Sequence, residues 1–252
     1  MNVKSLIITV AGMSSRFNRD TKEDVLKCLY NEGDARLSLL CQQVYKVYGQ
    51  VDEIIVVGGY RYEDLTAFIR QELKDVNSKI KCIFNDHYHD YGSGYSLLKG
   101  IEHISENADG IIFIEGDLFF DTESVATIIN SPKDVISING EPIKSNKAVA
   151  LYFDAGQYPH YIYDTSHSCL EIHEPFTAIY NSGQMWKFRN PVRVREICLS
   201  LTSEQKQGTN LEIIQKYFGN ICESQLDIVR VKDWYNCNTV ADYHEAIKAL
   251  SV

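Results

Sequence analysis

The chain has 252 residues, 44% of them hydrophobic, which is enough apolar material for one principal α/β domain with a full core. Acidic residues outnumber basic ones by 34 to 25, and the net charge of -9 opposes the broad basic surface that a nucleic-acid backbone requires, so no nucleic-acid partner is expected. No run is apolar for long enough to span a bilayer, and seven scattered cysteines without C-x-x-C spacing suit the reduced thiols of a cytoplasmic protein with no membrane partner.

The chain opens on one lysine and a short apolar run over residues 5–10, which reads as a buried strand and not as a signal peptide. After a long loop, Leu37, Leu40, Cys41, Val44 and Val47 recur at helical spacing, with Gly49 placed to close the helix. A strand is expected at 53–57, a helix carrying Leu65, Phe68, Ile69 and Leu73, a short strand at 79–84, and a helix carrying Leu97, Leu98 and Ile101. The continuous β-branched run 110–114 is expected to be a central parallel strand buried on both faces. Such alternation implies βαβ units and a twisted parallel sheet whose ligand crevice lies at the carboxyl ends of the strands. Beyond about residue 135 come shorter aromatic-rich strands at 149–153, 158–163 and 176–180, read as a smaller β-rich lobe. Helix, strand and helix return at 211–218, 226–231 and 241–250. The expected organisation is a single domain over 1–252, in parts 1–135, 136–200 and 201–252.

The unusual residues lie at the expected strand ends. The first strand runs into Val10, Ala11, Gly12, Met13, Ser14, Ser15 and Arg16, then into a charged stretch ending at Lys27. Small residues let backbone N–H groups approach an anion closely. Arg16 can neutralise phosphates through its planar fork and Lys27 as a point charge, although a polar loop with surface charges explains the same residues. Neither G-x-x-x-x-G-K-[ST] nor G-x-G-x-x-G is present. Asp117 ends the central strand, where a carboxylate suits either a hard cation or a helix cap. His87 and His89 lack further ligands at metal spacing and are read as a surface loop.

The segment VAGMSSRF with Lys27 resembles the A-G-x-[GS]-[ST]-R…P-K signature of the GT-A-type nucleotidyltransferases, with Met13 and Leu26 as departures from it. EIIVVGGY at 53–60 is similar to that family's second strand and turn. Gly92, Ser93, Gly94, Tyr95 and Ser96 resemble its G-[ST]-[AG]-x-[AS] turn, and the flanking NDHYHDYG and YSLLKG are most similar to the phosphocholine cytidylyltransferase branch. DWYNCNTVADY resembles the family's W-x-E-I-D-T-x-x-D-[LY] segment, with Asn238 where an aspartate commonly supplies the second metal ligand.

The resemblance implies a Rossmann-like, mainly parallel sheet flanked by helices, with 1–135 as the NTP-binding part and 136–200 as an acceptor lobe. It implies Mg²⁺ held by Asp117 and Asn238, an uncharged amide oxygen being a legitimate ligand. It casts Arg16, Lys27 and Asp117 as the catalytic set. Val10, Ala11, Gly12, Met13, Ser14 and Ser15 would hold the nucleotide together with Gly92, Ser93, Gly94 and Ser96. Glu171, His173, Tyr180, Asn181 and Gln184, in a stretch that also holds Glu174 and Trp186, would bind the acceptor, a carboxylate and rings being suited to an ammonium group. The implied partners are CTP or another NTP and a small phosphorylated or phosphonate acceptor such as phosphocholine, aminoethylphosphonate or phosphoglutamine. The product would serve surface polysaccharide or lipid decoration, and a homodimer is compatible. Rival readings are a sugar-1-phosphate nucleotidyltransferase, a glycosyltransferase and a nucleotide-binding regulatory protein without turnover.

Overall fold

Strands that are apolar without interruption end up with apolar layers on both sides, and the first, second and fourth strands of this chain do so. The structure, a computed structural model, describes residues 3–144, 149–163 and 169–250. In chain order the first half comprises β1 (Val3–Thr9), α1 (Ser15–Thr21), α2 (Leu39–Val47), β2 (Glu53–Gly58), α3 (Tyr62–Glu72), β3 (Ile80–Phe84), α4 (Ser93–His103) and β4 (Ala108–Glu115). Then come β5 (Leu118–Phe119), α5 (Thr122–Asn130), β6 (Asp134–Asn139), β7 (Ala150–Asp154), β8 (Pro159–Ile162) and β9 (Phe176–Phe188). The remainder is α6 (Pro191–Ser200), α7 (Ser203–Gln207), α8 (Leu211–Phe218), β10 (Leu226–Arg230), β11 (Tyr235–Asn236) and α9 (Val240–Ala249).

Among the described residues nine strands form one sheet, ordered β10-β6-β9-β4-β1-β2-β3, with β7 added to β9 and β8 to β7. β1 pairs parallel with both β2 and β4, as βαβ connections require. β4 is central and buried as expected, but only its β1 side is parallel, because β9 lies antiparallel between β4 and β6. The aromatic-rich segments therefore continue the principal sheet through β9. The fold is a mainly parallel sheet flanked by helices.

Successive strand residues face opposite sides, and the core divides accordingly. Leu6, Ile8, Ile54, Val56, Ile112 and Ile114 pack beneath α2, α3 and α5. Ile7, Ile55, Val57, Ile111 and Phe113 pack beneath α4, α6 and α8. Trp186 of β9 is fully buried, stacks on Phe113 at 5.3 Å and donates from Nε1 to the Tyr161 hydroxyl at 2.7 Å.

Two local expectations are corrected. Leu37 lies in a 3₁₀ turn (Ala35–Leu37), and Ser38 starts α2 by accepting from the Cys41 N–H, so the cap takes precedence over the apolar period. Gly33 is the glycine with positive φ among the described residues, so Gly49 follows α2 without the left-handed turn expected of it.

The buried carboxylate of Glu53 ties three elements together at the end of the sheet remote from the strand carboxyl ends. Its Oε1 accepts from the Ser5 hydroxyl at 2.5 Å and the Ser105 N–H at 2.6 Å, and its Oε2 from Lys81 Nζ at 2.9 Å. Burial alone would raise its pKa, but these donors outweigh burial and hold the carboxyl below its ordinary value. Its contribution to stability is therefore complete above the unfolded-state pKa and lost as pH falls through the lower folded-state value. In urea unfolding, the advantage of the wild type over Glu53→Gln should shrink steadily below about pH 4.5.

Glycine is required where α4 begins. A Cβ on Gly92 would lie 2.4 Å from the Gly208 carbonyl oxygen, and one on Gly94 2.6 Å from that of Thr209. The backbone there is already bonded, Gly92 N–H to Gln207 O at 2.9 Å and Gly94 N–H to Gly208 O at 3.1 Å. Gly94→Ala should cost about 1–3 kcal/mol through forced backbone movement, read as a lower urea midpoint with an unchanged slope.

Candidate active site

The residues that gather at the strand carboxyl ends come from three distant parts of the sequence, each held by its own local device. Val10 N–H bonds to Val57 O at 2.8 Å, keeping the chain in register past β1. It then turns at Ser14, which has φ 55°, into α1. The N–H groups of Ala11, Gly12, Met13 and Ser14 bond to no described residue, which leaves successive donors unused in a segment that lines the crevice. The Ser14 hydroxyl accepts from the Lys27 N–H at 3.0 Å, and buried Leu26 and Cys28 anchor Lys27 from either side. Leu26 is already extended, at φ -84° and ψ 111°, so this backbone does not need a proline before Lys27.

Asp117 and Asn238 are brought together by a two-stranded ribbon. β5 pairs antiparallel with β11, and the Cys237 N–H donates to the Asp117 carbonyl at 2.8 Å. Gly116 permits this turn, since a Cβ there would lie 2.6 Å from the Thr9 carbonyl oxygen. The Thr239 and Asp242 capping box at the start of α9 fixes the other side, with Asn238 N–H bonded to Asp242 Oδ2 at 3.1 Å.

Lys27 Nζ lies 3.0 Å from Asp117 Oδ2 and 3.4 Å from Asn238 Oδ1, while Arg16 Nη2 donates to the same Asn238 oxygen at 2.9 Å. Asp117 Oδ1 is buried without a hydrogen-bond partner. Asn238 also donates, from Nδ2 to Asn236 Oδ1 at 2.6 Å, and Asn236 donates in turn from Nδ2 to Gln184 Oε1 at 3.3 Å. An aspartate at 238 has no donor with which to make that link. Asparagine is thus a structural member of a chain of amides as well as an oxygen donor.

A cavity of about 490 Å³ opens over this cluster and is lined by Val10 through Arg16, Lys27, Gly92, Ser93, Ser96, Asp117 and Asn238. Gly94 lies outside that lining; its small size serves the packing described above. Ser93 and Ser96 are engaged, accepting from Asn210 N–H at 3.1 Å and Asn85 Nδ2 at 2.9 Å.

The residues predicted for the acceptor do not form one cluster. Glu171 and His173 are exposed, pair with each other at 3.3 Å and line neither described cavity. Tyr180 packs on the apolar face of β9 with its ring 6.4 Å from Phe153. Asn181 is buried, with Nδ2 3.5 Å from Glu141 O and Oδ1 unpartnered. Gln184 alone of the five reaches a cavity, the smaller one beside Asp117. Glu174 accepts from the Tyr152 hydroxyl at 2.6 Å, away from both.

Several lining residues escaped the sequence reading. Glu115, passed over as a strand end, lines both cavities and accepts from Asn210 Nδ2 at 2.6 Å. Burial, and then the neighbouring Asp117 carboxylate, push its pKa well above the usual carboxylate range. Tyr88, His89 and Tyr91 line the larger cavity; His87 stacks on Tyr91 at 4.1 Å and pairs with Asp90. His89 is exposed as a surface-loop residue should be, yet it sits at the cavity mouth. Among the described residues no group of three or more His, Cys, Asp or Glu is placed to hold a metal, so a cation here would rest on the Asp117 and Asn238 pair.

Comparison with solved structures places the chain in a known architecture. The inositol-1-phosphate CTP transferase from T. maritima superposes with TM-score 0.71 at 15% identity, covering 100% of this chain and 97% of that one. The CTP:phosphocholine cytidylyltransferase from Streptococcus pneumoniae gives TM-score 0.65 at 17% identity, over 98% and 99% of the two chains. A putative glucose-1-phosphate thymidylyltransferase from Bacillus anthracis gives 0.72 at 16% identity, over 98% and 94%. At these identities the likeness establishes the nucleotidyltransferase fold. Comparison with curated protein sequences finds no match. The model of one family, described as Domain of unknown function (DUF6564), matches residues 23–250, and the chain belongs to that family.

Proposed function

We propose that this protein is a magnesium-dependent nucleotidyltransferase, in the first place a cytidylyltransferase, which joins CMP from CTP to a small phosphorylated or phosphonate acceptor and releases pyrophosphate. The observation that carries the reading is the convergence of Arg16, Lys27, Asp117 and Asn238 beneath the free backbone donors of residues 11–14. Two cations, two oxygen donors and a run of N–H groups match the needs of a polyphosphate and its counter-ion. Proteins of this fold named as cytidylyltransferases add support.

A phosphate acceptor is already anionic near neutral pH, so no general base is needed. An acceptor oxygen attacks the α-phosphorus, the bond from that phosphorus to the bridging oxygen breaks, and pyrophosphate leaves with the electron pair. The protein's task is in-line positioning and compensation of charge. Arg16 and Lys27 bind and orient the phosphates, and the loop amides hold their oxygens. The unpartnered Asp117 Oδ1 beside Asn238 Oδ1 fits a hard cation that prefers oxygen ligands. Magnesium bound there would neutralise charge on the phosphates. The reading extends to a cytoplasmic enzyme that acts on CTP or another NTP, possesses acceptors such as phosphocholine, aminoethylphosphonate or phosphoglutamine within its class, and supplies surface polysaccharide or lipid decoration.

The test is pyrophosphate release from each of the four NTPs with Mg²⁺ against a panel of amine, amino-acid and sugar phosphates. Release should depend on one acceptor, be fastest with CTP and stop on chelation by EDTA. Asp117→Ala should lower kcat/KM by about 100-fold or more, and Lys27→Met by about 10- to 100-fold. Tight NTP binding with no release from any pair would instead indicate a regulatory nucleotide-binding protein.

A further inference from the structure

Asp117 and Asn238 present three side-chain oxygens, and the protein's own cations engage two of them. Lys27 Nζ donates to Asp117 Oδ2 at 3.0 Å and reaches Asn238 Oδ1 at 3.4 Å, while Arg16 Nη2 donates to that same amide oxygen at 2.9 Å. An amide oxygen has two lone pairs, so Asn238 Oδ1 is fully used by its two cationic donors. Only Asp117 Oδ1 is without a partner.

The two cations are held differently. The Lys27 backbone is fixed by its N–H bond to the Ser14 hydroxyl and by buried Leu26 and Cys28 on either side, and its side chain is 17% exposed. Arg16 is exposed on the first turn of α1. Glu115 lines the same cavity, but its described contact is with Asn210 Nδ2, and it forms no described ion pair with Lys27 or Arg16.

This arrangement treats two incoming ions oppositely. A divalent cation arriving alone meets one unengaged oxygen and two positive charges on the others, and could displace Lys27 only by leaving it without a counter-charge. A polyphosphate meets those two cations and the unused N–H groups of residues 11–14. Its oxygens can take over both Arg16 and Lys27, so the cations change partner without losing one. The exchange releases Asp117 Oδ2 and Asn238 Oδ1 to stand beside Asp117 Oδ1 as oxygen ligands for a hard cation.

We infer that Lys27, assisted by Arg16, is an internal counter-ion that keeps a divalent cation off Asp117 and Asn238 until a polyphosphate draws both side chains away, so that nucleotide binding precedes metal binding. Lys27 thus opposes the metal in the free chain and permits it in the complex, and the two ligands are positively coupled. The inference rests on the nucleotidyl-transfer reading for the identity of the polyphosphate.

The test is binding, not turnover. Mn²⁺, an oxygen-seeking stand-in for Mg²⁺, is titrated into the full chain without nucleotide and followed by loss of the free-ion EPR signal. Lys27→Met should bind Mn²⁺ at least about tenfold more tightly than the wild type, because repulsion between a divalent and a monovalent cation a few ångströms apart is worth that much even at water-like screening. Adding Asp117→Ala to Lys27→Met should abolish the gain, which locates the ion. Glu115 is common to the chains compared, so its charge does not decide the outcome. If Lys27→Met does not fold, Arg16→Gln, altered at an exposed side chain, should give a severalfold gain of the same sign. In EDTA the wild type should bind α,β-methylene-CTP, and Lys27→Met should bind it severalfold more weakly, a loss opposite in sign to its gain in Mn²⁺ affinity that general damage to the site would not produce. Equal, weaker or undetectable Mn²⁺ binding by the variants would overturn the inference, as would a wild type that binds no nucleotide in EDTA. Pyrophosphate release without the Mn²⁺ gain would sink this inference alone, whereas the gain without release from any NTP and acceptor would leave the counter-ion role standing and remove nucleotidyl transfer.

Discussion

Four side chains from residues 16, 27, 117 and 238 must meet within hydrogen-bonding distance, and much of the fold's local detail serves that constraint. The ion pair between Lys27 and Asp117, 3.0 Å long with side chains 17% and 23% exposed, holds cation and carboxylate together while Asp117 keeps one oxygen unpartnered. A pair this open to solvent contributes modestly to stability. Its value is positional: on the proposed reading, an incoming polyphosphate would meet cations already placed and a carboxylate oxygen not yet engaged. The β5–β11 ribbon, the α9 capping box and the buried residues beside Lys27 are the means by which the sequence holds this arrangement.

Asparagine at 238 illustrates how one amide can serve two sets of neighbours at once. Its oxygen faces Arg16 and Lys27, while its amino group begins a directed run through Asn236 to Gln184. Each amide accepts at one end and donates at the other, which fixes their orientations collectively. The Arg16 and Lys27 end of the larger cavity and the chamber beside it are therefore linked by hydrogen bonds through Asn238 and Asn236.

Much of this was legible in the sequence because local chemistry controls it. Alternation and helical period located the strands and helices of the first half, and small residues with Arg16 and Lys27 marked the loop that now lines the large cavity. What escaped was set by distant partners. The 176–180 run gave no sign that β9 would continue to Phe188 and enter the sheet antiparallel, because an apolar strand carries no label for its neighbour. Glu115 and Asn210 look like a strand terminus and a loop amide until the fold brings them to 2.6 Å. The grouping of Glu171 and His173 with Gln184 failed because proximity in sequence put them on an exposed segment and a buried bulge respectively.

The placement of β9 also bears on how the molecule is made. β4 and β6 are separated in the sheet by a strand synthesised well after both, so each waits with an open edge until residues 176–188 arrive. Pairings between segments so far apart in sequence carry a large loop-closure cost and slow folding. During synthesis the emerging β4 and β6 lack this neighbour, the kind of intermediate that is open to edge-to-edge association. The central antiparallel strand thus acts as a late keystone, making assembly of the sheet the slow and vulnerable stage in the life of this chain.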